Sequence, residues 1–130
     1  MAMNEKLVYT ESFIAGEDLS DYQYHGVAIS GEMTVDACDA DTDQPIGILL
    51  NDPESGEMAN VLIIGRTPIV AGEAIPVGSR VRIDSNGHAM VFDIDTDVTT
   101  YCIGTCVNAA GAAAEKAEVM VTGNPWKGEE

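Results

Sequence analysis

The sequence predicts an all-β domain, and two observations carry that prediction. Apolar or alternating segments of roughly four to eight residues are separated by turn residues, and no convincing long helix interrupts them. The second half of the chain also repeats the order of the first. Ala15-Gly16-Glu17 recurs as Ala71-Gly72-Glu73, and Val61-Leu62-Ile63-Ile64-Gly65 recurs as Val119-Met120-Val121-Thr122-Gly123. Two copies of one strand-turn-strand plan predict a small, pseudo-duplicated β-barrel or sandwich.

The copied positions are apolar residues and turn glycines, which a scaffold needs, and none of them looks like a catalytic group. We therefore expect residues 13–65 and 69–123 to superpose, with Gly47 over Gly104 and Val61 over Val119. The predicted core is Val27, Ile29, Ile46, Ile48, Val61, Ile63, Val81, Ile83, Ile103 and Val119.

The elements of the first half follow from local pattern. Residues 1–12 are polar and mixed, and predict an extended N-terminal arm. Rough alternation over 27–35, broken by Gly31-Glu32, predicts a strand, a turn and a strand. The apolar runs 46–50 and 61–64 are bounded by turn residues, as buried strands are.

The second half is read in the same way. Segment 78–83 alternates apolar and polar residues, and Asn86-Gly87 predicts a hairpin to a return strand at 90–94, since both residues accept positive φ. Strands follow at 98–107 and 119–121. The alanine-rich stretch 109–116 takes the place of a loop in the first copy, which favours a loop with at most a short helix. Residues 124–130 read as a C-terminal tail, so the predicted β domain spans 13–123.

Composition bounds the function. A chain of 130 residues fits one domain, and its 22 acidic against 6 basic residues give a net charge of −16. That charge excludes direct nucleic-acid binding and argues against an anionic membrane surface. It fits either a highly soluble protein or one that docks on a basic surface. No apolar run reaches the roughly 18 residues of a membrane span, and the first residues do not resemble a signal peptide, so synthesis in a cytoplasm is expected.

No catalytic, cofactor-binding or metal-ligating residues are predicted. Cys38, Cys102 and Cys106 read as small core residues rather than a disulfide framework. His25 and His88 sit beside glycines in turn-like settings, which does not suggest zinc. The acidic runs 39–43 and 93–97 resemble the start of a calcium loop. Each lacks the glycine and the glutamate that such a loop requires, so solvated acidic loops are expected.

A family resemblance rests on particular segments of the chain. They are Ala15-Gly16-Glu17-Asp18-Leu19, Pro45-Ile46-Gly47-Ile48-Leu49, Asn51-Asp52-Pro53, Gly56-Glu57, Val61-Leu62-Ile63-Ile64-Gly65, Ala71-Gly72, Gly78-Ser79-Arg80-Val81, Ile103-Gly104 and Glu118-Val119-Met120-Val121. With these, the chain resembles the small head decoration (cement) proteins of tailed bacteriophages.

The resemblance implies a β-barrel-like structural protein of the virion without enzymatic activity. It would bind the phage major capsid protein on the capsid exterior, stabilise the assembled shell, and form a homo-oligomer, a dimer or trimer. A phage tail or baseplate protein, and a small acidic cation-binding β module or enzyme, are the alternatives at this stage.

The arm and the tail depart from the segments that carry the resemblance. Leu7, Val8 and Tyr9 form a short extended stretch in the arm, and Trp126 is the only tryptophan. Trp126 either packs on the domain or anchors on a partner. Because such segments often become ordered against a neighbour, Leu7, Val8, Tyr9 and Trp126 are the predicted contacts with adjacent copies or with the capsid.

Overall fold

The fold is all-β, which confirms the predicted class. The structure is a computed structural model that describes residues 6–40, 43–93 and 100–127, with side chains described from residue 8 to residue 122 within those ranges. The described part of the chain contains nine strands and no helix. The strands are β1 (Lys6–Ala15), β2 (Gly26–Gly31), β3 (Thr34–Ala37), β4 (Gly47–Leu49), β5 (Met58–Val70), β6 (Arg80–Ile83), β7 (Ala89–Val91), β8 (Tyr101–Asn108) and β9 (Lys116–Lys127).

The first five strands pair in a ring. The hydrogen-bonded order is β1-β3-β2-β4-β5, and β1 also pairs with β5 over 6–14 of β1 and 58–66 of β5. All neighbours are antiparallel except β1 and β3, which run parallel at Ile14↔Thr34 and Ala15↔Val35. We call this arrangement the first ring.

The second half follows the same plan. From β5 the order continues β9-β8-β6-β7, and a parallel bridge between Ala71 and Ala89 returns β7 to the end of β5. This second ring matches the first strand for strand, and Ala71↔Ala89 stands where Ala15↔Val35 stands in the first ring. Strand β5 belongs to both rings: its first part closes the first ring, and its last part opens the second.

Loop hydrogen bonds also recur at equivalent positions, outside the regular strand pairing. The matched pairs are Ala15 N to Glu57 O (2.9 Å) with Ala71 N to Glu115 O (2.8 Å), Gly16 N to Val35 O (2.9 Å) with Gly72 N to Ala89 O (2.8 Å), and Leu19 N to Pro53 O (2.9 Å) with Ile75 N to Ala110 O (2.9 Å). A side-chain pair recurs as well. The Glu17 carboxylate accepts from Ala37 N at 3.0 Å, and the Glu73 carboxylate accepts from Val91 N at 2.8 Å. These matches support the predicted superposition of the two halves.

Each ring encloses an apolar cluster. In the first ring the cluster includes Phe13, Leu19, Val27, Val35, Leu49 and Val61. In the second it includes Ile69, Ile75, Val81, Ala89, Cys106 and Val119, and it also takes in Cys38, Ile48 and Leu62 from the first ring. Side chains from the outer side of the first ring therefore pack against the second ring.

Most of the predicted core is buried. Val27, Ile48, Val61, Val81, Ile83, Ile103 and Val119 are buried, and Ile46 and Ile63 are partly buried. The prediction for Ile29 was wrong, because its side chain is 50% exposed. Strand β4 pairs with β2 only at Gly26 and Val27, so the β2–β3 hairpin projects beyond β4 and no described strand covers Ile29.

The first and last strands extend into segments that the sequence predicts to be an arm and a tail. Strand β1 begins at Lys6, so residues 6–12 of the predicted arm pair with β5. Strand β9 continues to Lys127, where Trp126 lies opposite Cys102 of β8. Polar residues are tolerated in β1 because one of its faces is exposed to solvent.

The loop before β9 and the β6–β7 hairpin both lie where the sequence predicts them. Residues 109–115 form a loop without a helix, with Ala114 at φ 72°. The β6–β7 hairpin is present, but of Asn86 and Gly87 only Gly87 has positive φ. The Asp84 carboxylate accepts from Asn86 N and His88 N, both at 2.9 Å, and so holds this turn.

Candidate functional surfaces

The predicted contact residues lie on two strands. Val8 and Tyr9 are on β1 and are 67% and 47% exposed. The side chains of Leu7 and Trp126 lie outside the described part of the structure; their backbones stand opposite Gly65 and Cys102. Register shifts on both sides of Tyr9 interrupt the β1–β5 pairing there, so Val8 and Tyr9 occupy an irregular edge of the first ring.

An apolar groove of about 290 Å³ opens at the mouth of the first ring. Its lining is Tyr9, Glu11, Phe13, Met33, Ile46 and Ile63. The Tyr9 hydroxyl donates to the Glu11 carboxylate at 2.6 Å, so the single carboxylate of the lining has a partner at the rim. Tyr9 therefore lies in a concave apolar surface. The sequence analysis did not predict that Met33, Ile46 and Ile63 share this surface with Tyr9.

A second apolar feature lies on the outer side of the first ring. Ile14 of β1 and Met58 of β5 are cross-strand partners, and they are 50% and 63% exposed. Two neighbouring large apolar side chains left in solvent are uncommon away from interaction sites. The alternation of β1 could have found Ile14, but its pairing with Met58 required the register.

The acidic loops take a different form. Asp36, Asp39 and Asp43 line a shallow polar depression on the β2–β3 side. The Asp43 carboxylate accepts from Asp39 N at 2.9 Å and Ala40 N at 3.3 Å, so the loop satisfies its own carboxylate. Residues 41–42 and 94–99 of the two acidic runs lie outside the described residues. Among the residues that the structure describes, no three histidine, cysteine, aspartate or glutamate side chains are grouped so that they could hold a metal ion.

The three cysteines are free and buried, in agreement with their prediction as small core residues. Burial raises the pKa of the Cys38 thiol to about 12, and the nearby Asp43 and Asp39 carboxylates add to that shift. Burial also raises the pKa of the Cys102 and Cys106 thiols. None of them is therefore poised as a thiolate nucleophile at neutral pH.

His25 and His88 meet where the rings join. Their ring centroids are 4.9 Å apart, and Gly26 N donates to Gly87 O at 2.8 Å beside them. His25 is buried, and its Nδ1 lies 3.1 Å from the Gln23 carbonyl oxygen, which fits the neutral tautomer with its proton on Nδ1. Burial lowers the pKa of His25. The pair is thus part of the junction between the rings.

Comparison with solved structures supports the fold. The chain is similar to the head fiber gp8.5 N base of bacteriophage phi29, with a TM-score of 0.66 and 18% sequence identity over 92% of this chain and 98% of that one. A search of the curated proteins finds no match. Within the described residues, no helix is long and apolar enough to cross a membrane.

The phage cement protein family matches residues 16–121, and the chain belongs to that family. The protein is therefore a head-associated structural protein of a phage virion, as the resemblance in its sequence implied. A location in the tail or baseplate is set aside by this result.

Proposed function

We propose that the protein binds the outer surface of the phage capsid, contacts the major capsid protein and stabilises the assembled shell without catalysing a reaction. Membership in the cement family is the observation that carries this proposal. A protein that binds only the assembled shell shifts the equilibrium toward that shell by mass action.

The exposed apolar edge of the first ring is the proposed capsid-facing surface. Val8, Ile14 and Met58 are each at least half exposed, and β1 carries two of them. Burying such side chains against the capsid supplies favourable free energy at roughly 25 cal/mol per Å² of apolar area. The net charge of −16 keeps free copies apart and favours a basic patch on the capsid as the docking partner.

Leu7, Tyr9 and Trp126 are proposed as additional contacts, following the sequence prediction, which placed Leu7 and Tyr9 in an arm of residues 1–12. Deleting residues 1–12 is a poor test, because it would remove much of β1 from the first ring. Deleting residues 1–5 leaves every described strand intact.

The test mixes purified protein with undecorated capsids of its phage and measures occupancy by electron microscopy at limiting protein concentration. Val8→Glu is the disrupting variant, and Val77→Glu is its matched control, since Val77 is 65% exposed and lies outside β1. We expect Val8→Glu to weaken capsid binding about tenfold or more and Val77→Glu to bind as the natural chain does. The deletion of residues 1–5 and Trp126→Ala are measured alongside.

Absence of wild-type protein from the capsid surface would overturn the proposed function. Full occupancy with Val8→Glu, with the deletion and with Trp126→Ala would show that docking runs through other loops. Residues 36–43 and 52–57 would then be the next segments to alter.

A further inference from the structure

The apolar groove of the first ring has a counterpart in the second ring that is not open. At the repeat positions of Phe13, Ile46 and Ile63, the second ring carries Ile69, Ile103 and Val121. These three are 0%, 2% and 6% exposed. Ile46 and Ile63 are only partly buried and line an open groove. The mouth of the second ring is therefore covered by side chains that have no counterpart at the mouth of the first ring among the described residues.

The cover comes from the outer side of the first ring. Ile48 and Leu62 belong to the same buried cluster as Ile69, Ile103 and Val121. Their chain neighbours Leu49 and Val61 point the other way, into the first ring. Ile48 and Leu62 are therefore outward-facing side chains of one repeat that fill the mouth of the next.

The outer side of the second ring has no such neighbour among the described residues. The repeat positions of Ile48 and Leu62 are Thr105 and Met120, both exposed, with Met120 at 43%. Thr105 and Arg66 are the cross-strand neighbours of Met120. We call Arg66, Thr105 and Met120 the outer patch. Each chain thus presents an open groove on the first ring and the outer patch on the second ring. Thr105 and Met120 of the outer patch occupy the repeat positions of the side chains that fill the mouth of the second ring.

We propose that the groove binds the outer patch of a second copy of this chain, head to tail, repeating between molecules the contact that joins the two rings within one molecule. Both faces of the proposed contact carry a polar group that is already paired within the chain: Glu11 of the groove accepts from Tyr9 at 2.6 Å, and Arg66 of the patch lies 3.5 Å from the Glu118 carboxylate. The contact is heterologous, so successive copies either close into a ring or continue as an array.

The expected contact is weak in solution. A groove of about 290 Å³ accepts only a few side chains, and the net charge of −16 on each copy opposes approach. We expect dissociation constants of roughly 10 μM to 1 mM, tighter at high salt because salt screens the repulsion. Copies held side by side on a surface would associate more readily through their high effective concentration.

The test is sedimentation velocity in high salt on the full chain and three charge-matched variants. Met33→Glu blocks the groove at a side chain that is 54% exposed, and Met120→Glu blocks the patch. Val77→Glu adds the same charge elsewhere. Circular dichroism and thermal melting check that all three remain folded. We expect the natural chain and Val77→Glu to associate with concentration, and each of the other two to bind itself at least tenfold more weakly.

Mixing the two defective variants is the decisive arm. Met120→Glu keeps an intact groove and Met33→Glu keeps an intact patch, so a mixture should form a dimer that neither forms alone and should stop at the dimer. The proposal is overturned if the natural chain stays monomeric at roughly 1 mM, or if the mixture shows no dimer. It is also overturned if Met33→Glu self-associates normally while losing capsid binding, since the groove would then serve the capsid. Capsid occupancy, measured separately, can fail without affecting this result.

Discussion

The buried side chain of His25 makes the free energy of unfolding depend on pH. Burial lowers its pKa in the folded protein below the ordinary value of 6.5, so the folded state resists protonation more than the unfolded state does. The unfolded chain therefore binds more protons in this window. The contribution of His25 is fully present above about pH 6.5 and is lost as the pH falls through the lowered folded pKa.

We predict that His25→Gln reduces the loss of unfolding free energy between pH 7.5 and pH 5. Urea unfolding at both pH values measures this. His88→Gln is the control, and it should keep most of the dependence, because burial of His25 is the largest cause of its shift and the His88 charge a smaller one. Equal pH dependence in the natural chain and His25→Gln would contradict the prediction.

Gly56 and Ala114 occupy equivalent loops and both have positive φ, at 84° and 72°. A Cβ added at Gly56 would meet nothing within 4 Å, so only backbone conformation opposes it. We predict that Gly56→Ala lowers the free energy of unfolding by about 1 kcal/mol, since L side chains disfavour this region. Ala114→Gly should have the opposite sign or no effect. Chemical denaturation of both variants measures the difference, and a stabilising Gly56→Ala would contradict it.

At the scale of elements, glycines allow neighbouring strands to approach closely in each ring. A Cβ at Gly104 of β8 would fall on the backbone of Met120 in β9, and one at Gly47 of β4 on the backbone of Leu62 in β5. Backbone cannot move aside as a flexible side chain can. The strand pairings β4–β5 and β8–β9 therefore depend on these two residues.

We predict that Gly47→Ala and Gly104→Ala each destabilise the protein by about 2 kcal/mol or more and lower the melting temperature by roughly 5 °C or more. Gly31→Ala is the matched control. Its added Cβ would have only ordinary contacts with Thr34, the nearest at 3.7 Å, and the effect should stay within about 0.5 kcal/mol. Melting curves that do not separate Gly31→Ala from the other two would refute the close-approach argument.

We also propose that the two halves are copies of one structural unit. Residues 13–65 and 69–123 of an experimentally determined structure should superpose, with Gly47 on Gly104 and Val61 on Val119. The matched strand orders and loop hydrogen bonds support this. A crystal structure in which these glycines fail to coincide after superposition would refute the proposal.

Sequence reasoning worked best where one face of a strand is covered by its own ring. Val27, Val81 and Val119 follow directly from alternation and are buried. The sequence pattern was less informative in the runs 46–50 and 61–64, because neighbouring residues there face different apolar clusters. Alternation shows that Ile48 and Leu49 point to opposite sides, but only the tertiary structure shows that both sides are covered.

The candidate surfaces were harder to predict for the same reason. Val8 and Tyr9 were expected as contact residues and are exposed. Ile46 and Ile63 were predicted as core residues, and Met33 was not assigned a role; the structure places all three in the groove lining. They line an open groove because no described side chain covers this end of the first ring in the way that Ile48 and Leu62 cover the second ring.

For the molecule as a whole, the fold should hold without covalent or metal crosslinks. We predict that neither a reductant nor a chelator changes the melting temperature. Thiol alkylation at pH 8 should be slow in the native state and complete in denaturant, because burial raises the thiol pKa values, that of Cys38 to about 12. A melting temperature lowered by several degrees, or rapid native alkylation, would show that the cysteines or acidic loops have another role.

The sharing of β5 by both rings has a mechanical consequence. A protein with two rings joined by a linker would pass a pulling force through a flexible tether, and each ring could yield alone. Here β5 runs from one ring into the other without interruption and is hydrogen-bonded to β1 and β4 on one stretch and to β9 on the next. A load applied to either ring reaches the other along this strand, as shear across many hydrogen bonds at once. The two rings should therefore resist a load as one unit rather than separately.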